Sequence, residues 1–357
     1  MAQAAESHPH AAPSLLSKSH FTISTRQSAL ALAQTTLIAT ALSSCFPGTT
    51  FAPLPMETIA DKDQKTALYA FNAKSLWTFE LEDQLLSGKS DLIAHSLKDM
   101  PTQLPEGCIL GAACMRDEKR DAVVMSLASV EKGWKTLRDL PDGSVVGTSS
   151  TRRIAQLKRL YPALKIADMR GNINTRLRKL DSDVDEDGTP KFAALILAAT
   201  GLKRVGLGDR VSACLSWEDG GWLGAVGQGA LGVEVREGDI DVERLCQLLM
   251  QSTHEGNKVW LEVLTERMLL RTLEGGCSVP IGVESNWVED QLDVRAVCMS
   301  VDGQREVRTH QRKMINGKEE AEAFGLALAQ EMVENGAGEI LKEITLNRKI
   351  IADGGGA

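Results

Sequence analysis

Several signatures of common protein classes are missing from this chain. Its seven cysteines (45, 108, 114, 214, 246, 277 and 298) form no CxxC pair and show no Cys/His spacing typical of zinc. An odd number of cysteines scattered along a long chain points to reduced thiols and a cytoplasmic setting. The six histidines are dispersed, three of them within the first 20 residues, and no HExxH motif occurs, so no metal is expected. There is no Walker A sequence. The longest apolar runs, such as 193–199, fall far short of a membrane span, so no membrane partner is expected. Positive charge is in deficit: 40 Lys and Arg face 48 Asp and Glu, for a net charge of −8. That balance excludes a generally polybasic nucleic-acid binder. Arginine is absent from residues 1–20, which argues against a mitochondrial presequence and for a disordered extension.

What is present is ordinary globular composition, 43% hydrophobic and 25% charged, over 357 residues, enough for two or three domains. The charge is unevenly placed. Residues 147–180 contain nine basic side chains, at 152, 153, 158, 159, 165, 170, 176, 178 and 179, against the single acid Asp168. An acidic protein with one strongly basic stretch is suited to bind an anion there. Strand and helix patterns alternate: strands near 21–24, 91–95, 144–147, 165–169 and 194–197, with helices over 28–43, 152–161, 172–180 and from 200. This is the α/β pattern of doubly wound sheets. The acidic run 181–187 reads as a solvated loop. A helix over 258–273, an alternating stretch over 283–300 and a final amphipathic helix over 321–335 suggest a separate α+β unit.

Five segments bear on chemistry. Gly227, Gly229 and Gly232 have the letters of a dinucleotide fingerprint, but a strand-like run follows them instead of a helix, so a glycine-rich crossing between lobes is the better reading. In VVGTSSTRR (145–153) a strand ends in Thr148 and Ser149 at a helix N-terminus, where free N–H groups and the helix dipole attract anions. Arg152 and Arg153 add bidentate donors for carboxylate or phosphate. By itself this segment is equally a capped helix with solvated arginines. MRGNINTRLRKLD (169–181) repeats the theme, with Arg170 at a strand end and Arg176 in the next helix. HSLKDMP (95–101) sets Lys98 and Asp99 beyond another strand end, as an ion pair or an acid–base group. EGGCSVP (274–280) holds Cys277 in a constrained, accessible loop after Gly276, consistent with a reactive or modified thiol.

Together with STRQSALALAQ (24–34), LILAATGLKR (195–204), AVGQGALGVEVR (225–236) and LLRTLEGGCSVPIG (269–282), these segments resemble, in order, the porphobilinogen deaminase (hydroxymethylbilane synthase) family of haem biosynthesis. The resemblance runs from about residue 21 to 284. It implies two lobes like those of periplasmic binding proteins and a small C-terminal α+β domain. The implied limits are 21–116 with 220–242, 117–219, and 243–357, with crossings near 115–119 and 217–222. It also implies a monomeric transferase that condenses four porphobilinogen molecules, with loss of ammonia, on a dipyrromethane cofactor. That cofactor would be joined by a thioether to Cys277, and the linear tetrapyrrole would be released by hydrolysis. By the same resemblance Asp99 is the catalytic carboxylate, with Lys98 and Arg26 beside it. Cofactor contacts fall on Lys98, Asp99, Thr148, Ser149, Arg152, Arg153, Arg176 and Gly276. Substrate contacts fall on Arg26, Ser28, Arg170, Arg176 and Arg204. The chain departs from the family around 56–62 and at Asn72 and Phe79, in a loop that covers the cleft. Two other classes compete: a two-lobed anion-binding protein, which needs neither Cys277 nor Asp99, and an RNA-binding module. The latter is disfavoured because 147–180 interleaves only Tyr161 for base stacking.

Overall fold

The computed structural model describes residues 16–58, 78–182, 184, 191–273 and 279–352. The first lobe begins with β1 (His20–Arg26), α1 (Ala29–Cys45), β2 (Thr50–Met56), α2 (Phe79–Leu86), β3 (Leu92–Ser96) and β4 (Cys108–Cys114). The chain then crosses into β5 (Asp121–Met125), α3 (Leu127–Glu131), β6 (Val145–Gly147), α4 (Thr151–Leu160), β7 (Lys165–Ala167), α5 (Ile173–Ser182), β8 (Ala194–Ala198), α6 (Ala199–Arg204) and β9 (Ala213–Leu215). It returns through β10 (Leu231–Arg236) and α7 (Ile240–Ser252). The last unit holds α8 (Gly256–Thr272), β11 (Ile281–Val288), β12 (Gln291–Met299), β13 (Glu306–Met314), α9 (Lys318–Met332) and α10 (Gly338–Ala352).

The two five-stranded sheets have orders β2-β1-β3-β10-β4 and β7-β6-β8-β5-β9. Counted from each lobe's own first parallel strand, the two orders are the same. Each sheet carries one strand antiparallel to both its neighbours, β10 in the first and β5 in the second. Both of these strands are the first formed after a crossing, so in each lobe the antiparallel strand is the one that enters from the other lobe. The sheets are thus doubly wound and mixed. The third unit is an antiparallel β11-β12-β13 meander covered by α8 and α9. Its core joins Leu264, Leu269, Val283, Phe324, Leu328 and Met332.

Local sequence explains the elements that hold the site. The β8 segment ALILA is a continuous apolar run because this central strand is covered on both faces, with Ala194, Leu195 and Ile196 fully buried. Ser28 caps α1, its hydroxyl accepting from the Ala31 N–H at 3.3 Å. Helix α4 stops at Leu160, two residues before Pro162. The Gly227–Gly232 segment leads into strand β10, as the strand-like run after it indicated.

Three expectations are corrected. The helix over 321–335 is not the last: α9 ends at Met332, Gly336 takes φ +101°, and α10 follows with Ile340 and Ile344 packed into the core. The N-terminal extension does not reach residue 20. Residues 1–15 lie outside the described region, but the Ser17 N–H donates to Asp241 at 2.7 Å and Lys18 pairs with Asp91 at 2.5 Å. The acidic run is not wholly solvated, because Asp181 lies in the last turn of α5 and pairs with Arg210 at 2.9 Å, while 183 and 185–187 lie outside the described region.

Candidate functional site

The cleft is built where parallel strands end and the chain leaves them in opposite directions, the usual ligand crevice of an open α/β sheet. In the first lobe β1 ends at Arg26 and β3 ends at Ser96, and these two strands are neighbours. A single 3-10 turn, Leu97–Asp99, follows β3. Its base is fixed by buried Leu97 and Met100 and by the Leu97 N–H donating to the Ala230 carbonyl at 3.1 Å. The turn therefore projects its polar residues from a rigid support. Lys98 Nζ donates to Asp99 Oδ1 at 3.0 Å. Burial opposes ionisation of Asp99, yet the charge and hydrogen bond of Lys98, then the charges of Arg26 and His95, outweigh it and hold the carboxyl below its usual range. Its side chain remains 43% exposed, so the group is ionised and reachable. His95 stands on β3 with its Nε2 against Glu234 at 2.8 Å, both buried.

The second lobe supplies the opposite wall. Thr148 and Ser149 form the junction from β6 to α4. The Thr148 hydroxyl accepts from the Ser150 N–H at 3.3 Å, and the Ser149 hydroxyl donates to the Met169 carbonyl at 2.6 Å. Arg170 follows β7 and donates through Nε to Asp168 at 2.7 Å. Arg176, in α5, donates through Nε to the Gly171 carbonyl at 2.7 Å. Burial, then the charge of Arg153 and more weakly that of Arg170, push the Arg176 guanidinium down to about 10, while Asp99 and Asp168 act the other way. It stays charged at neutral pH. Two conclusions follow. Asp99 of one lobe lies within electrostatic reach of Arg176 of the other. On the second wall Arg176 has, among the described residues, the Gly171 carbonyl and no carboxylate at bonding distance, which suits an anionic ligand.

Other expected ligands are placed differently. Arg152 and Arg153 are 5% and 7% exposed, and both grip Asp121. Arg152 Nη1 reaches Asp121 Oδ2 at 2.7 Å and the Leu223 carbonyl at 2.6 Å. Arg153 donates to Asp121 Oδ1 from Nε and Nη2, at 3.1 and 2.7 Å, and to the Ile196 carbonyl at 2.8 Å. Trp222 and Gln228 add bonds to the same carboxylate at 2.9 and 3.0 Å. Burial alone would push the Asp121 carboxyl up, but the two guanidiniums hold it far below the carboxylate range. Arg204, expected on substrate, is instead 5% exposed, with Nη2 on the Met115 and Gly229 carbonyls at 2.6 and 2.7 Å. Sequence reasoning missed Asp121. An acid opening the otherwise apolar run of β5 was the available signal, since a charge there is buried and needs partners. It also missed Arg116, whose guanidinium joins the first crossing to Glu262 and Glu266 of α8 at 2.8 and 3.0 Å.

Gly276 and Cys277 lie outside the described residues, as do residues 59–77, which include Asn72 and most of the divergent loop. The described flanks of the cysteine loop are the end of α8 and the start of β11. Phe79, which opens α2, is 63% exposed. The other six cysteines are free, and burial pushes the thiols of Cys114 and Cys298 up to about 12. No described helix is long and apolar enough to cross a membrane.

Comparison with known proteins adds a second line of argument. The family described as "Porphobilinogen deaminase, dipyromethane cofactor binding domain" matches residues 21–244, and "Porphobilinogen deaminase, C-terminal domain" matches 260–334. Porphobilinogen deaminase of Neurospora crassa is 46% identical over 91% of this chain and 94% of its own length. That of Saccharomyces cerevisiae is 43% identical over 90% and 96%, and that of a Synechococcus species 43% over 92% and 98%. Among solved structures, the periplasmic VFT2 domain of Bordetella pertussis BvgS is 13% identical with a TM-score of 0.37, covering 68% of this chain and 92% of that one.

Proposed function

The chain belongs to the porphobilinogen deaminase family, and from that premise we propose how its own residues divide the work. The reaction is the stepwise condensation of four porphobilinogen molecules with loss of ammonia, followed by hydrolytic release of the linear tetrapyrrole. The family's dipyrromethane cofactor, when bound, supplies the pyrrole carbon to which the first substrate is joined. The cleft fits such a group, because pyrrole acetates and propionates would meet Arg176, which among the described residues has a carbonyl and no carboxylate at bonding distance. That unmatched guanidinium is the observation that carries the residue assignment.

Cys277 is the proposed attachment point, in the loop between α8 and β11. Lys98, Thr148, Ser149 and Arg176 would hold the cofactor carboxylates, with the Gly276 backbone beside the thioether. Arg152 and Arg153 would take part only by sharing their guanidiniums with Asp121. Arg26, Ser28 and Arg170 would orient the incoming carboxylates of porphobilinogen. Asp99, kept ionised by Lys98 and Arg26, lies where loss of ammonia leaves a cation. Its carboxylate can stabilise that charge, take up the proton that the attacking pyrrole carbon releases and, once protonated, deliver it as the next ammonia departs. A catalytic carboxylate and a covalent primer also separate this reading from simple anion binding. We further propose a monomer in the cytoplasm, in keeping with the free cysteines. The three-domain limits 21–116 with 220–242, 117–219 and 243–357 belong to the same reading except at 242/243, which cuts α7: Leu245, Cys246 and Leu249 pack in the first lobe's core, so that lobe extends to about residue 252.

Intact mass of the purified protein tests the primer: a dipyrrole-sized excess is expected and should vanish in Cys277→Ser. An active enzyme of unmodified mass would end the covalent reading. Asp99→Asn should keep fold and adduct yet lose most turnover. Turnover near that of the parent would remove Asp99 from the chemistry.

A further inference from the structure

The two segments joining the lobes, 115–120 and 216–230, both contain backbone in the left-handed region, including Met115 at φ +54° and Gly229 at φ +94°. A non-glycine residue there is strained and needs support from its surroundings. The carbonyls of these two residues accept from the same atom, Arg204 Nη2, at 2.6 and 2.7 Å. Arg204 is the last residue of α6, so the donor belongs to the second lobe and the acceptors to the two crossings. Its one ion-pair partner among the described residues, Asp117 at 3.6 Å, is 71% exposed and therefore a weak one. The carbonyl dipoles carry most of the load.

The crossings are also tied to each other. Arg116 Nε donates to the Gln228 carbonyl at 3.0 Å, and Gln228 Nε2 donates to the Lys119 carbonyl at 2.8 Å. A Cβ at Gly229 would stand 2.7 Å from the Glu118 carbonyl oxygen, so the backbones pack in direct contact. A swing of one lobe must change torsions in both crossings. The two carbonyls would then move relative to each other, and one nitrogen could not follow both.

We propose that Arg204 is a positioning residue, a latch that holds both crossings in one torsional state and so sets the orientation of the lobes. Its role in elongation is to fix the distance between the Asp99 wall and the Arg176 wall, and it does not bind a substrate carboxylate.

The exchange measurement uses substrate-free holoenzyme, so it does not depend on the residue roles proposed for the reaction. Arg204→Met and Arg204→Lys are compared with the parent by amide hydrogen exchange and by steady-state kinetics. Arg204→Met is expected to speed exchange in peptides covering 113–121 and 224–231 by roughly tenfold or more, leaving the sheet interiors unchanged. Arg204→Lys, which keeps a cationic donor, should fall between, and kcat should drop more than KM rises. Unchanged exchange with a raised KM would make Arg204 a substrate ligand and overturn the latch. Faster exchange throughout the second lobe would make it a general structural residue and overturn it equally. If Arg204→Met does not fold, Arg204→Lys carries the same comparison.

Discussion

Replacing Asp121 by asparagine removes one charge from a buried point where six hydrogen bonds converge, from Arg152, Arg153, Trp222 and Gln228. The amide oxygen can still accept some of these bonds, but the amide NH2 would face guanidinium donors. Two buried cations would lose their counter-ion. Removing one member of a buried ion pair costs about 3–5 kcal/mol, and the two guanidiniums here put the expected cost near the top of that range. A domain has about 5–15 kcal/mol in all. Calorimetry or circular dichroism should therefore show the melting temperature falling by about 10 °C or more. A pH series checks the cause. The folded carboxyl is held below its unfolded value of about 3.9, so its contribution is fully present above that pH and is lost as the pH falls toward the folded value. The gap between parent and variant should be flat from pH 8 to about 5 and narrow below about 4. Arg153→Met added to Asp121→Asn should cost less than the sum of the two. A single-variant loss under about 1 kcal/mol, or a gap that does not narrow in acid, would refute the argument.

Arg176→Leu should leave thermal stability near that of the parent, because the arginine is crowded by Arg153 and Arg170, while short elongation intermediates accumulate in intact-mass spectra. Normal kinetics would take Arg176 out of the ligand array. Gly229→Ala should lose about 1–3 kcal/mol in urea unfolding, since it forces a side chain onto φ +94° with its Cβ 2.7 Å from a backbone oxygen. No loss would mean that the crossing relaxes freely. Protein carrying Cys277→Ser, made without the primer, should melt lower than the holoenzyme, and equal melting would argue against an anion-starved cleft.

Much of the first-order architecture was legible because it rests on local patterning. The β8 run ALILA, the hydroxyl-rich junction after β6 and Pro162 beyond α4 each mark their element without help from distant residues. The turn bearing Lys98 and Asp99 was placed correctly for the same reason, being the end of an apolar strand. Partner choice was not legible. Nothing adjacent to Arg152 indicates that Asp121, 31 residues earlier, will take its guanidinium, or that Arg204 will turn from the cleft to the Met115 carbonyl. Those outcomes depend on where the two crossings enter each sheet, a property of the whole topology. The missed helix at Gly338–Ala352 has a local cause: Asn335 and Gly336 read as the end of the preceding helix, although Ile340, Leu341 and Ile344 beyond them keep helical spacing.

The basic stretch 147–180 shows why composition alone overstates a binding surface. Six of its nine basic residues go to three destinations. Arg152 and Arg153 close on Asp121 inside the second lobe. Lys158 and Arg159 turn outward to the third unit, with Lys158 on the Val301 carbonyl at 3.3 Å and Arg159 on Glu306 at 3.0 Å. Arg170 and Arg176 lie on the side toward Asp99. The same helix α4 that gives the cleft its Thr148–Ser149 corner therefore anchors the unit that bears the cysteine loop. The positive character of the cleft comes from a few residues of this stretch acting with Arg26 and Lys98 from the opposite lobe. A field assembled from both lobes depends on how far apart they stand. Lobe orientation and ligand charge are thus coupled, and the crossings held by Arg204 and Arg116 are where that coupling is set.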